Sequence, residues 1–268
     1  MANRAPQRQG NPAGRSTTQK SEAPSISVTS RALRILDTFD STQREQSLSG
    51  IARRANLPLA TAHRLVNELT MWGGLEKKSG RYRIGQKLWR IGLLASAQRD
   101  VAEVASPYMQ DVLFVTHNVV NLFILDQQEV LLVERISGTN TGAPFRRVGE
   151  RMDLHSSAAG KLMLAYGSPH LLDDLPAELP RHTSHTIGRK TELIQHIARI
   201  RSQGFATTQR ESGENNFAIA VPVFSPATGH IIAGLGIVTQ DAMAPIGNVV
   251  PVLKIAARGI SRTLEVGD

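Results

Sequence analysis

Residues 48–84 read LSGIARRANLPLATAHRLVNELTMWGGLEKKSGRYRI, and this stretch decides the fold of the N-terminal part of the chain. Ser49 is placed to cap a short helix, and Pro58 suits the first turn of a second helix because its φ is already helical. The second helix ends at Gly73-Gly74 and carries apolar residues three and four apart, as a packed face requires. The inward set is Ala62, Leu65, Val66 and Leu69.

A basic β-hairpin is predicted directly after this helix. Its strands are Leu75–Lys77 and Arg81–Ile84, and a tight turn through Lys78-Ser79-Gly80 joins them. An amphipathic helix is also predicted upstream, in SVTSRALRILDTFDS at residues 27–41. Three short helices followed by a basic hairpin are typical of a winged helix-turn-helix, whose third helix enters the major groove of DNA.

The positive charge is concentrated in the first third of the chain. Residues 1–90 contain 16 Lys and Arg against 6 Asp and Glu, whereas residues 91–268 contain 15 against 17. An excess of +7 persists when residues 1–25 are left out, so the asymmetry is not only the property of a basic tail. It indicates a polyanionic partner for the N-terminal part alone.

The remainder of the chain predicts an α+β module. A long helical stretch from about Gln86 to His117 is interrupted near Ser106-Pro107. The apolar runs VVNLFILD and EVLLVERI indicate a buried hairpin, and FAIAVPVFS and HIIAGLGIVT indicate two further core strands. Helices are predicted in LHSSAAGKLMLAY, in ELIQHIARIRSQG and from Pro251 to Glu265.

Several of these segments, in this order and spacing, resemble the IclR family of bacterial regulators from about Val28 onward. The matching segments are RALRILDTF, LSGIARRANLPLATAHRLVNEL, GRYRIGQKL, LHSSAAGKLMLA, LPRHTSHTI, QGFATTQRES and AIAVPV. The resemblance implies a winged helix-turn-helix, a linker helix and a GAF-like effector domain with a sheet rich in antiparallel strands. It also implies homodimers, often assembled into homotetramers, that bind partly palindromic operators on double-stranded DNA.

We therefore expect four parts along the chain. They are a disordered tail at residues 1–25, a DNA-binding domain at 26–86, a linker helix at 87–105 and an effector-binding domain at 106–268. The sequence contains no cysteine, which excludes disulfides and thiolate metal sites. The N-terminus lacks the apolar run of a secretory signal and no apolar stretch is long enough to span a membrane, so a cytoplasmic protein is expected.

The candidate DNA-binding residues lie on the predicted recognition helix, on the helix before it and on the hairpin. Arg64 can take a guanine edge or a phosphate, and Asn67 can pair with adenine. The alternative is a merely solvated helix face. Family members commonly carry a polar or basic pair at Leu59-Ala60, so apolar contact with thymine methyls or the wing is expected to contribute more here. The candidates are Arg53, Ala60, Thr61, His63, Arg64, Asn67, Lys77, Lys78, Arg81 and Arg83.

The start of the helix in LHSSAAGKLMLAY predicts a site for an anionic effector. Ser156 or Ser157 caps it, and its first free amides carry small side chains that let a ligand approach the backbone. An ordinary capped helix packed by small residues is the alternative. The candidate effector-binding residues are Met152, Leu154, Ala158, Ala159, Gly160, Glu211, Ala218 and Leu235.

The resemblance also bears on the class of effector. Family members that bind small acids often carry an Asp near Thr208 and a Cys at Ala218, and both are missing here. The pocket is therefore expected to be less polar and to take an aromatic carboxylic acid rather than a two- or three-carbon acid. Glu211 matches a recurrent acidic position, for which a structural role is also open.

Enzymatic and metal functions find little support in the sequence. It lacks G-x-S-x-G, G-x-G-x-x-G, P-loop and H-E-x-x-H motifs, and Ser157 and Lys161 are four rather than three residues apart. His182 and His185 have metal-like spacing, but no further ligands are evident, so no metal or cofactor is expected. We expect a regulator, with a ligand-free architectural DNA-binding protein as the remaining alternative.

Overall fold

The computed structural model describes Met1 and residues 27–40, 42–92, 94, 96–138, 146–239 and 246–266. The predicted tail at residues 1–25 therefore lies outside the described residues, apart from Met1. The first described unit is the winged helix-turn-helix. Its elements are α1 (Val28–Leu36), α2 (Leu48–Arg54), α3 (Leu59–Trp72), β1 (Leu75–Lys78) and β2 (Arg81–Ile84).

Small corrections concern the helix starts of this domain. Ser47, and not Ser49, caps α2, since its Oγ accepts a hydrogen bond from the Gly50 amide at 3.2 Å. Pro58 is the N-cap of α3 rather than a residue of its first turn. One apolar core joins all of the elements. It contains Ile35, Ile51, Ala55, Leu65, Val66, Leu75 and Tyr82.

The wing is the predicted hairpin. Ser79 and Gly80 have φ angles of 49° and 77°, which is the backbone of a type I′ turn and matches the twist of the two strands. Gln46 extends the pairing by one residue, because it exchanges two backbone hydrogen bonds of 2.8 and 2.9 Å with Tyr82. The hairpin is therefore tied to the chain that leads into α2.

Two helices follow, α4 (Gln86–Gly92) and α5 (Ser96–Thr116). The predicted interruption near Ser106-Pro107 is wrong, because Pro107 lies inside α5. Proline removes one helical hydrogen bond, but Ala105 and Met109 on either side of it are fully buried, and this packing holds the helix together. The expected boundary between residues 105 and 106 falls within α5.

The second unit contains a six-stranded antiparallel sheet, so the chain is an α+β protein. The strand order is β5-β4-β3-β8-β7-β6, and every neighbouring pair is antiparallel. The strands are β3 (Val119–Asp126), β4 (Glu129–Ile136), β5 (Arg151–Asp153), β6 (Ala206–Gln209), β7 (Phe217–Phe224) and β8 (Ile231–Thr239). The predicted hairpin at β3 and β4 is confirmed.

Helices cover both faces of this sheet. Besides α5, the helices of this unit are α6 (Ala158–Tyr166), α7 (His170–Asp173), α8 (Lys190–Gln203) and α9 (Ile246–Val266). Helices α5 and α9 pack on one face, and α6 and α8 pack on the other. Helix α9 begins at Ile246 and not at the predicted Pro251. The helix tolerates Pro251 because the carbonyl that loses its amide partner belongs to Gly247, four residues earlier, which is exposed to water.

Candidate DNA-binding and effector sites

Helix α3 has a buried side and an open side, as a groove-reading helix needs. Ala62, Leu65 and Val66 are buried in the core of the winged domain. The predicted contact residues lie on the open side, where Ala60, His63, Arg64 and Asn67 are exposed and Thr61 is partly exposed. Leu59 is also exposed, which leaves an apolar group at the start of the helix.

The polar side chains on the open side of α3 contact one another. Arg64 donates to Glu68 at 2.8 Å, and the Asn67 amide nitrogen lies 3.3 Å from His63 Nε2. An exposed pair one helical turn apart contributes only about 0.3–0.5 kcal/mol. Arg64 can therefore leave Glu68 for a base or a phosphate at little cost.

The wing and α2 present the remaining basic candidates. Lys78 and Arg81 are exposed beside the turn, and Arg53 is exposed on α2. Arg83 is engaged within the hairpin, since its Nε and Nη2 donate to one oxygen of Glu76 at 3.1 and 2.8 Å. These hydrogen bonds lower the pKa of Glu76 below its usual range. Lys77 lies with its ammonium 5.5 Å from the centre of the Tyr82 ring.

A cavity lies between the N-terminus of α6 and the sheet. Its empty space, counted together with the open mouth, is about 390 Å³. The walls combine apolar and polar side chains. The apolar ones include Phe123, Met152, Ala158, Ala159, Ala218 and Ala220, and the polar ones are Asn121, Arg146, Ser157, Thr208, Ser212 and Asn216.

Four of the eight predicted effector residues line this cavity, namely Met152, Ala158, Ala159 and Ala218. Leu154 and Gly160 pack against each other instead. A Cβ on Gly160 would lie 2.5 Å from both Cα and the carbonyl oxygen of Leu154, so only glycine allows this approach. These two residues position α6 and are not lining residues.

Leu235 lies on the wrong face of the sheet for the predicted role. Side chains alternate between faces along a strand. Leu235 and Ile237 of β8 belong to the core under α5 and α9, whereas Gly234 faces α6, with Ala159 packed against it. The prediction failed because β8 is buried on both faces. Its sequence is apolar throughout, so no alternation of apolar and polar residues shows which side chains face which side of the sheet.

Glu211 is engaged by a buried cation. Lys161 of α6 is fully buried, and its Nζ donates to the two carboxylate oxygens of Glu211 at 2.5 and 2.7 Å. Burial lowers the pKa of Lys161 and raises that of Glu211, while their contact opposes both shifts. Of the two roles open for Glu211, the geometry favours the structural one, which anchors α6 to the segment between β6 and β7.

The start of α6 has the features expected of an anion site. Ser157 is the cap, and its Oγ accepts from the Gly160 amide at 3.0 Å and donates to the Asp153 carbonyl at 2.8 Å. Within the helix, the amides of Ala158 and Ala159 have no acceptor, because they precede the first helical hydrogen bond, from Lys161 to the Ser157 carbonyl. Both residues line the cavity.

Sequence reasoning missed the polar residues of the cavity. Asn121 lies in the middle of the apolar strand β3, and Asn216 and Ser212 lie between β6 and β7. An asparagine within an otherwise apolar strand was the one available signal, since such a residue needs a partner. Arg146 gave no signal, because its position on the cavity depends on the path of the chain before β5.

The expectation that His182 has no further potential metal ligands near it is wrong, because the fold brings Asp153 and His155 beside it. Atoms of Asp153, His155 and His182 that are able to bind a metal all lie within 4.8 Å of one another. Each already has a hydrogen-bond partner, as His182 Nε2 lies 2.5 Å from Asp153 and His155 Nε2 lies 2.8 Å from the Pro180 carbonyl. Burial lowers the pKa of His155.

None of the described helices combines the length and the apolar character that a bilayer crossing demands. An open recognition helix with a basic wing, joined to an α+β domain that holds a cavity, defines a DNA-binding transcriptional regulator. Comparison with known families agrees. The IclR helix-turn-helix domain matches residues 28–79, and the IclR C-terminal domain of bacterial transcriptional regulators matches residues 94–262. The chain belongs to the IclR family and is a regulator, not an enzyme.

Individual relatives cover nearly the whole chain. The HTH-type transcriptional regulator XynR of Escherichia coli K12 is 28% identical over 90% of this chain and 98% of its own length. An IclR homologue of Microbacterium hydrocarbonoxydans, solved with 4-hydroxybenzoate, is 32% identical with a TM-score of 0.81, over 90% of this chain and 100% of that chain. The IclR of Thermotoga maritima is 27% identical with a TM-score of 0.69, over 88% and 98%.

Proposed function

We propose that an aromatic carboxylic acid binds in the cavity and thereby controls how the winged domain binds its operator. The observation that carries this proposal is the position of the cavity against the free amides of Ala158 and Ala159. A helix N-terminus favours a negative charge through its amides and its dipole. Arg146 also lines the cavity and is mostly buried, but its guanidinium is paired with Glu150, so an acid in the cavity would share it with that carboxylate.

The apolar walls favour an aromatic acid over a two- or three-carbon acid. Phe123 and Met152 present large apolar surfaces, while the alanines of α6 and β7 leave room for a planar ring. A compact acid such as pyruvate would leave most of these walls uncovered and would gain little from burial. The Microbacterium hydrocarbonoxydans homologue, solved with 4-hydroxybenzoate, supports the same class of ligand.

A thermal-shift screen of the full chain tests this proposal. We expect benzoate and its hydroxylated derivatives to raise the melting temperature, because a ligand that binds only the folded state stabilises it by mass action. Pyruvate and glyoxylate at equal concentrations serve as controls and should give little shift. A screen in which only these short acids stabilise the protein would overturn the assignment to aromatic acids.

We also propose that the open side of α3 reads the operator while the wing and α2 hold the backbone. Arg64 and Asn67 are suited to base edges, Thr61 and the first amides of α3 to a phosphate, and Leu59-Ala60 to thymine methyls. The remaining candidates, Arg53, His63, Lys77, Lys78, Arg81 and Arg83, are assigned to the backbone or the minor groove. The hydrogen bonds from Arg83 to Glu76 make it the weakest of the wing contacts.

Replacing Lys78 by Ala should weaken binding to all DNA sequences about equally. One lost phosphate contact lowers the slope of log affinity against log salt by about one unit. Fluorescence anisotropy at several salt concentrations, with operator and with unrelated DNA, measures this slope. Arg199→Ala, on an exposed position of α8, is the control and should leave it unchanged. An unchanged slope in Lys78→Ala would show that Lys78, beside the turn of the wing, lies outside the interface.

The assembly that we propose is a homodimer or a dimer of dimers on a partly palindromic operator, acting in the cytoplasm where the chromosome lies. Two apolar surfaces support it. Trp89 and Leu94 are exposed along and just after α4, and Phe114 and Ile255 are exposed on α5 and α9. We retain the division of the chain at residues 26–86, 87–105 and 106–268, in which the linker consists of α4 and the first half of α5 and transmits the effector signal.

A further inference from the structure

Asn121 is the least satisfied polar side chain of the effector domain among the described residues. It is 1% exposed, and neither its amide nitrogen nor its amide oxygen has a hydrogen-bond partner there. Folded proteins rarely leave a buried donor and acceptor unpaired, since both lose their water without compensation. An apolar residue of similar shape would fit the strand better unless the amide group serves a ligand.

The alternation of β3 directs Asn121 into the cavity. Its neighbours Val120 and Leu122 are buried under α5 and α9, so Asn121 faces the α6 side, where it is a lining residue. Asn121 is paired with Gly236 of β8, which has no side chain to cover the amide. A second lining amide is similar, because the Asn216 side-chain oxygen is also buried without a partner among the described residues.

The start of α6 and the Asn121 side chain lie beside different residues of β8. Ala159 sits over Gly234, with its Cβ 3.2 Å from where a Cβ of that glycine would be. Gly236, beside Asn121, is two residues further along β8, which corresponds to roughly 7 Å. The amides of α6 and the Asn121 amide are therefore at separate places on the cavity wall, which two different polar groups of one ligand can contact.

We propose that Asn121 binds a hydroxyl group of the effector, separate from the carboxylate that the start of α6 binds, so that the effector is a hydroxylated aromatic acid. This inference rests on the proposed function of the cavity. An amide both donates and accepts, and a hydroxyl group does the same, so one hydroxyl can satisfy both free atoms of Asn121. A methyl group or a hydrogen atom at that position would satisfy neither.

Isothermal titration of the full chain with benzoate and the three hydroxybenzoate isomers tests the inference. The wild-type protein should bind the best of the three isomers about ten- to a hundredfold more tightly than benzoate, because benzoate gives the buried amide no hydrogen-bond partner. Asn121→Leu, which has a similar shape, should lose this preference by weakening that isomer, while benzoate binds as well as before or better. Asn118→Leu, just before β3 and not among the residues that line the cavity, is the control and should keep the preference.

The stability of the ligand-free protein separates this role from a structural one. A structural asparagine would destabilise the fold when lost, whereas Asn121→Leu should melt no lower than the wild type. A lower melting temperature, or a hydroxyl preference that survives in Asn121→Leu, overturns the inference. Equal wild-type affinities for benzoate and all three hydroxybenzoates overturn it as well, whether or not the variant folds. If no aromatic acid binds at all, the proposed function fails with it.

Discussion

Lys161→Met is expected to lower the free energy of unfolding by about 3–5 kcal/mol, the usual cost of removing one partner from a buried ion pair. The ammonium of Lys161 is fully buried and contacts both oxygens of Glu211, which is itself 6% exposed. Without the cation, the carboxylate remains in a place that excludes water. Urea unfolding followed by far-ultraviolet circular dichroism measures the change.

Three further variants make this prediction specific to the pair. Glu211→Leu alone should be similarly damaging, but the double variant with Lys161→Met should recover much of the loss, because an apolar pair can replace a buried ionic one. Arg151→Met, which breaks the surface pairs of Arg151 with Asp126 and Glu129, should cost less than about 1 kcal/mol. A loss below that value for Lys161→Met, or no recovery in the double variant, would contradict the anchoring role of the pair.

Arg64→Ala is expected to weaken specific operator binding about ten- to a hundredfold, as for a lost base contact of about 1–3 kcal/mol. Arg64 is exposed on the open side of α3, and its intrahelical partner Glu68 holds it only weakly. Gel-shift titration against a site selected from random-sequence DNA measures the effect. Binding to unrelated DNA should change much less, so the ratio of the two affinities should fall.

The partner of Arg64 supplies the control for this experiment. Glu68→Ala removes the same intrahelical ion pair but leaves the guanidinium in place, so operator affinity should be retained or should rise. Thermal unfolding should be nearly the same for both variants, since the pair is exposed. Full operator affinity in Arg64→Ala would place this residue outside the interface and would shift base readout to Leu59-Ala60 or the wing.

Local patterns were sufficient to predict most of the fold. The spacing of Ala62, Leu65 and Val66 located the buried side of α3, and Ser79-Gly80 located the turn of the wing. The serine before Ala158 predicted the start of α6, and the structure identifies Ser157 as the cap. These features depend on residues close together in the chain, where backbone preference and helical or strand periodicity decide the outcome.

The parts that could not be predicted depend on distant contacts. Lys161 and Glu211 are 50 residues apart, and no local signal joins them. Helix α5 continues through Pro107 because Ala105 and Met109 are packed in the core. The helix-breaking tendency of proline, taken alone, does not predict this. Leu235 was assigned to the cavity because an uninterrupted apolar strand does not reveal which of its residues face which layer.

The most direct test of the account is operator binding by the full chain in the presence of 4-hydroxybenzoate. A ligand controls DNA binding only if it has different affinities for the competent and incompetent arrangements, and such coupling is commonly about 5- to 150-fold. We predict that the operator dissociation constant changes within this range, in one direction or the other, at ligand concentrations that also raise the melting temperature. An operator affinity that stays constant while the acid saturates the cavity would contradict the account.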